Sequence, residues 1–160
     1  MNYVINKMLE DLEAGLPKKD VQYYIFGRPY QLAEAELEKG VLMIEPVSTT
    51  VQSVTTGITD EENKEIKIFL AKIVKDRFYA NAQKETGSAY LARIFENKDA
   101  SNQLQADTVR YIVRENLRQW GLLQPTISID YTVSFEQAPE GTVAGAMTIS
   151  TLDHFSQPLV

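Results

Sequence analysis

The chain contains no cysteine, one histidine and one tryptophan. No apolar run reaches the roughly 18 residues a membrane-spanning helix needs. Without cysteine there are no disulfides, thiolate zinc sites or cysteine nucleophiles. The single histidine, His154, stands beside Asp153, but adjacent residues of a strand point to opposite faces, which separates the base from its neighbouring carboxylate. Basic residues are also scarce. Sixteen Lys and Arg against 22 Asp and Glu leave a formal charge of −6 and a pI near 4.9. That balance opposes tight binding along a phosphate backbone, which requires clustered cations. No glycine-rich phosphate loop, Gly-x-Ser-x-Gly elbow or paired-histidine zinc motif occurs, so no catalytic residue, cofactor site or metal site is assigned. Asp60, Glu61 and Glu62 lack the spaced pattern of a calcium loop and read as a solvated turn.

What is present fits one domain over residues 1–160, long enough to bury its own core. Its 44% hydrophobic and 24% charged residues are ordinary for a water-exposed globular chain. The start, Met1-Asn2-Tyr3, leads into an acidic amphipathic pattern rather than a secretory signal, which gives the expectation of a protein made in the cytoplasm. The chief pattern lies near the C-terminus. Ile127, Ile129, Tyr131, Val133 and Phe135 alternate with Ser128, Asp130, Thr132, Ser134 and Glu136, the period of a strand with one wet face. Ala138-Pro139-Glu140-Gly141 supplies turn chemistry before Val143, Met147 and Ile149 resume, so 126–154 reads as an antiparallel hairpin. Thr126 to Glu136 would extend roughly 37 Å at about 3.4 Å per residue, across a domain whose radius of gyration is expected near 15 Å. Such a strand bends at its ends or meets another chain.

Earlier in the chain, Val4, Ile5, Met8, Leu9, Leu12 and Leu16 recur at helical spacing, predicting a helix over 3–15 with Gly15 as a left-handed cap. Val21 to Phe26 reads as a short, largely buried strand, and Gln31 to Lys39 stays open between a helical turn and a connection. Val41 to Thr56 reads as a strand broken by Pro46, Thr59 to Lys64 as a polar linker, and the run from Ile66 as the returning strand of a long hairpin whose tip passes beyond the core. Tyr90, Leu91, Ile94 and Phe95 give a helical face in 86–97. Val109, Ile112, Val113, Asn116 or Leu117, and Trp120 give another, with a helix over 105–119 ended by Gly121. The expected fold is α+β: a mainly antiparallel sheet with long hairpins, an N-terminal helix and a helical insert packed on one face.

Two basic groups stand out, Lys72, Lys75, Arg77 and Arg110, Arg114, Arg118. The latter three fall four apart on one helix face, the spacing of a solvated face or of a surface for phosphate or a partner's carboxylates. Candidate interface residues are Val47, Thr49, Val51, Thr55, Ile66, Ile68, Tyr131, Phe135, Arg110, Arg114 and Arg118. Asp60, Glu61 and Glu62 are candidates for a loop tip or a lumen.

The order of these elements, a helix at 3–15, a strand pair across 41–74, a helical insert at 86–119 and a hairpin at 126–154, resembles the tail terminator and tail-completion proteins of long-tailed bacteriophages. The resemblance rests on architecture over most of the chain, with no signature motif. The two-helix insert and the long tip at Gly57 to Lys64 depart from it. It implies a non-enzymatic virion protein of the tail or neck: a homohexameric ring that caps the tail tube and joins it to head-tail connector proteins, with no catalytic residues to carry over. Independently of the family, long exposed strands need pairing, and a closed ring supplies it. An acidic channel would let DNA slide without specific binding. Two other readings compete: a cone-shaped α+β ligand-binding domain or enzyme with a pocket lined by Tyr23, Tyr131, Phe135 and Trp120, and a dimeric adaptor that binds a peptide on a strand edge.

Overall fold

The computed structural model describes residues 2–28, 32–55, 59–74, 87–135 and 137–156, with the side chains of 2, 53–55, 59–62 and 152–156 left aside. In chain order the elements are α1 (Asn2–Gly15), β1 (Tyr23–Phe26), α2 (Glu34–Lys39), β2 (Val41–Thr55), β3 (Thr59–Ile73), α3 (Gly87–Glu96), α4 (Val109–Asn116), β4 (Thr126–Asp130) and β5 (Thr142–Ser156). The strands form one sheet in the order β1-β2-β3-β5-β4. Only β1 and β2 run parallel; the other neighbours are antiparallel. This is the expected α+β class.

Alternation along the strands sends apolar side chains to both faces of the sheet's lower half. On one face, Leu42, Ile44, Ile66, Ile68, Leu70, Met147 and Ile149 pack against the apolar stripes of α1, α3 and α4. On the other, Val41, Met43, Phe69, Ala71, Ala144 and Ala146 lie under Leu37 of α2, with Leu32, Val133 and Phe135 along the margin. The larger cluster carries most of the stability. Each fully buried Leu, Ile or Phe contributes on the order of 1.5–3 kcal/mol relative to exposure.

Gly15 does not adopt the left-handed conformation of a cap, which the structure reserves for Gly40, Gly121 and Gly141 among others. Its smallness serves packing instead. A Cβ there would stand 2.6 Å from Ile112 Cδ1, so glycine lets α1 and α4 approach. At Gly40 both demands coincide: φ is +89°, and a Cβ would lie 2.0 Å from the Asp20 carbonyl oxygen.

Several expected boundaries move. The strand near Val21 begins at Tyr23 and is a sheet edge with Tyr23 and Phe26 exposed, rather than largely buried. The open segment contains α2, the crossover that a parallel β1–β2 pair requires. Pro46 does not break β2. It sits at a register shift between Pro46 and Ser48, and the strand continues to Thr55. Thr59 to Lys64 is not a linker but the first part of β3, paired on both sides. The second helix of the insert starts later than 105, because the Thr108 hydroxyl caps it by accepting from Tyr111 N.

The long C-terminal strand ends at Asp130. The Asp130 carboxylate accepts from both the backbone N and the hydroxyl of Thr132, turning the chain. Pairing resumes when Val133 N donates to Ala144 O, one residue out of the register set by Asp130↔Ala146. That extra residue changes the face of everything after it. Ile127, Ile129 and Tyr131 therefore pack on the helical side, whereas Val133 and Phe135 pack on the opposite side. Glu136 lies outside the described residues.

Candidate functional site

Beyond the level of Pro46, Ile66 and Ile149, which lie side by side across the sheet, the strands continue past the helix-facing core cluster. They are β2 from Ser48, β3 up to Glu65 and β5 from Ser150 onward, a three-stranded ribbon. The pairing runs from Ser48↔Glu65 to Thr55↔Thr59 on one side, with a register shift between Ser53 and Thr55, and without interruption from Glu65↔Ser150 to Thr59↔Ser156 on the other. Eight residues at about 3.4 Å give the ribbon a length of roughly 27 Å. Every residue from Pro46 to Gln52 is exposed, and Val47 and Val51 remain 40% and 54% accessible. Thus the expectation of a hairpin running beyond the core describes this region, with β5 added as a third strand.

The ribbon is strongly acidic. Asp60, Glu61, Glu62, Glu65 and Asp153 share it with Lys64 as the one Lys or Arg. Backbone register sets Glu62 level with Asp153 and Glu61 level with His154. At the ribbon's base a shallow polar groove of about 340 Å³ is lined by residues including Ser48, Asn63, Lys64, Gln124, Thr126 and Ser150. Among the described residues, no three His, Asp or Glu side chains converge where a metal ion could sit.

The interface candidates separate into distinct settings. Val47, Thr49 and Val51 lie exposed on the ribbon, and Thr55 ends its β2 strand. Ile66 and Ile68 are fully buried beneath the helices and present nothing to a partner, a correction that follows from their parity on β3. Tyr131 and Phe135 are half-buried on opposite faces of the sheet. Asp60, Glu61 and Glu62 lie within paired β3 rather than in a loop, at Ser53, Gln52 and Val51 of β2 respectively. Lys75 and Arg77 fall outside the described residues.

The three arginines of the α4 region do not form one free row. Arg110 pairs with Glu96 at 3.1 Å, Arg114 lies near Glu115 at 3.4 Å and 5.2 Å over the Tyr111 ring, and Arg118 is exposed beyond the helix. The other Glu96 oxygen accepts from the Tyr131 hydroxyl, whose ring meets Phe95 at a centroid distance of 6.2 Å. Burial, followed by the bond to Glu96, pushes the Tyr131 phenol well above its ordinary pKa. Burial, with Glu13 nearby, does the same to Tyr24, whose hydroxyl has no hydrogen-bond partner among the described residues. The exposed Asp130 carboxyl is held below its ordinary pKa by the Thr132 bonds, with Lys67 as a lesser cause.

The four aromatic residues suggested as a pocket lining do not meet. Tyr23 stands at the β1 edge, Trp120 is buried among the helices, and Tyr131 and Phe135 are separated by the sheet. Two long-range contacts were invisible in the sequence. Arg93 Nη1 and Nη2 each donate at 3.0 Å to the buried Asp20 carboxylate, and Tyr90 Oη donates at 2.9 Å to the Asp20 carbonyl. Together they hold the α1–β1 connection on α3.

No helix among the described residues is long and apolar enough to cross a membrane. No protein-family model matches the chain, and no curated protein matches it. Among solved structures, the chain is similar to a mycobacterial sensor histidine kinase, MprB, at 13% identity, over 94% of this chain and 95% of that one, with a TM-score of 0.31. A likeness at that level carries no conclusion about fold or role.

Proposed function

We propose that this chain is a non-enzymatic structural subunit of a bacteriophage tail or neck, assembling into a ring, hexameric by the family resemblance, that caps the tail tube and joins it to the head-tail connector. The observation that carries the reading is the three-stranded ribbon projecting beyond the helical layers. A monomer has no use for about 27 Å of sheet with an unpaired edge on each side, whereas a ring pairs such edges between copies. The ribbon's acidic residues fit a channel through which DNA slides without specific binding, because like charge suppresses phosphate contacts. No cofactor enters this role, and the site of action is the virion after synthesis in the host cytoplasm.

The same exposed edge also favours a dimeric adaptor that binds an extended peptide. Light scattering of the purified protein, followed by electron microscopy and cosedimentation with tail tubes, separates the two. Annular particles near six times 18.1 kDa, or rings formed on tube ends, support the ring. A dimer that ignores tubes and gains a bound peptide supports the adaptor.

A further inference from the structure

Beyond Ile44 the outer edge of β2 pairs with no strand among the described residues, and beyond Ser150 the same is true of the outer edge of β5. These edges bound one ribbon at the same height. Through β3, Ser48 is level with Ser150 and Ser53 with Phe155. Both outer strands are antiparallel to β3, so they run parallel to each other. Rotation of a second copy about an axis along the strands therefore brings its β2 edge beside the first copy's β5 edge with matching polarity.

Free strand edges are ordinarily guarded by lysine, proline, bulges or inward charges. Register shifts occur at Pro46/Ser48 and Ser53/Thr55, but the stretch between them is regular. From Val47 to Thr55 there is no charged residue and no proline, and from Thr151 to Ser156 the only acidic or basic residue besides His154 is Asp153. Ser48–Ser53 thus gives six residues with no charge or proline on the β2 side, and Thr151–Ser156 gives six without lysine, arginine or proline on the β5 side.

We propose that the ribbon is an intersubunit seam, in which the β2 edge of one copy adds in parallel to the β5 edge of the next. Charge selects this pairing. A β2–β5 seam sets Asp153 beside the neutral Ser, Thr, Val and Gln of Ser48–Ser53, whereas a β5–β5 seam brings two Asp153 residues into one seam and two acidic β3 strands closer. A β2–β2 seam leaves both β5 edges open. Repetition of the β2–β5 seam leaves no open edge once the ring closes. The seam rests on the ring reading for its closure but is tested separately from it.

The absence of cysteine makes the test direct. Within one chain Thr50 and Leu152 are level but separated by β3, about 9.6 Å apart at two strand spacings, beyond the roughly 7 Å reach of a disulfide. Any disulfide between the two edges therefore joins different copies. Thr50→Cys or Gln52→Cys protein is mixed with Leu152→Cys or His154→Cys protein under mild oxidation, with circular dichroism confirming that each variant folds. The expected result is a disulfide-linked dimer in at least one mixed sample, in several-fold excess over either variant alone, and a ladder from a Thr50→Cys/Leu152→Cys double variant. Absence of mixed product in all four combinations, or product only from single variants, overturns the seam. Light scattering of the parent protein keeps the two ideas distinct: rings without mixed product remove the seam and leave the ring, whereas mixed product from a protein that stops at dimers keeps strand pairing and removes the ring.

Discussion

Trp120 Nε1 donates a 2.7 Å hydrogen bond to Asp11 Oδ2, joining the end of the helical insert to the first helix across 109 residues. Asp11 also receives Lys7 at 3.4 Å, so its charge is shared between two donors. Trp120→Phe keeps most of the buried ring and removes one donor. The expected loss is about 1–2 kcal/mol of unfolding free energy, read by urea denaturation with circular dichroism. Trp120→Ala also empties a core position, for about 3–5 kcal/mol. Equal losses for the two substitutions would show that the hydrogen bond, and not the ring, dominates.

The Asp20–Arg93 pair joins α3 to the connection after α1. Asp20 is 4% exposed, so removing its partner leaves a carboxylate in a poorly hydrated place. The Arg93 side chain is itself 35% exposed, which lets water soften the loss. Arg93→Ala is expected to cost about 2–4 kcal/mol, at the lower end of buried-pair disruption. Arg93→Lys should recover only part of it, because an ammonium cannot reproduce the two parallel bonds. Full recovery by lysine would make charge alone sufficient.

The phenols of Tyr131 and Tyr24 are both pushed above their ordinary values. A group whose folded pKa is raised binds its proton more tightly in the folded chain. Its contribution is complete below the unfolded value near 10 and is lost as pH rises through the folded value. Stability should therefore fall with a steepening slope above pH 10. Tyr131→Phe should make that slope shallower while costing about 1 kcal/mol at neutral pH through the bond to Glu96. Melting temperatures of both proteins between pH 8 and about 11.5 measure the difference, and parallel curves would exclude Tyr131 as a source.

The helical stripes and the alternation at Ile127, Ile129 and Tyr131 were legible because each repeats a local period against a buried face. The ribbon half of β3 was not. Thr59 to Lys64 is polar or charged at every position, so no apolar alternation marks it, and only pairing with β2 and β5 makes it a strand. Gly15 looked like a stop signal because a glycine serving close packing and one serving positive φ are identical in sequence. The Glu96–Tyr131–Arg110 cluster gathers residues from three separated segments, a proximity that no local spacing encodes. Ile66 and Ile68 belonged to a strand that also supplies less buried positions such as Lys64 of the same parity, and only the height along β3 at which the helices cover the sheet separates the two sets.

The parity change after Asp130 has an unusual consequence. Deleting one residue from a regular strand turns every later side chain to the wrong face. Here Thr132 is part of an extra residue's worth of chain between the Asp130↔Ala146 pair and the Val133–Ala144 bond. Its deletion brings those two pairings into one regular register, with Tyr131 still on the helical side and Val133 still opposite. A folded protein within about 1–2 kcal/mol of the parent is expected, the difference coming from the lost Asp130–Thr132 bonds. Failure to fold would place the bulge among the determinants of the fold.

Substitution on the free β2 edge separates assembly from folding. Val47 and Val51 are 40% and 54% exposed and belong to neither core cluster, so Val51→Lys should leave the melting temperature of the isolated subunit within about 2–4 °C of the parent. At a strand edge, however, lysine introduces the charge by which natural sheets reject further pairing. If copies join along this edge, the variant should remain at subunit mass at concentrations where the parent assembles, and it should fail to cap tail tubes in cosedimentation. Val51→Thr, which keeps β-branching without charge, should retain assembly. Ala100→Lys, in the exposed turn after α3 and outside the ribbon, controls for the added positive charge. Loss of assembly in Val51→Lys alone assigns the effect to the edge; loss in both lysine variants assigns it to net charge and moves the contact surface away from β2.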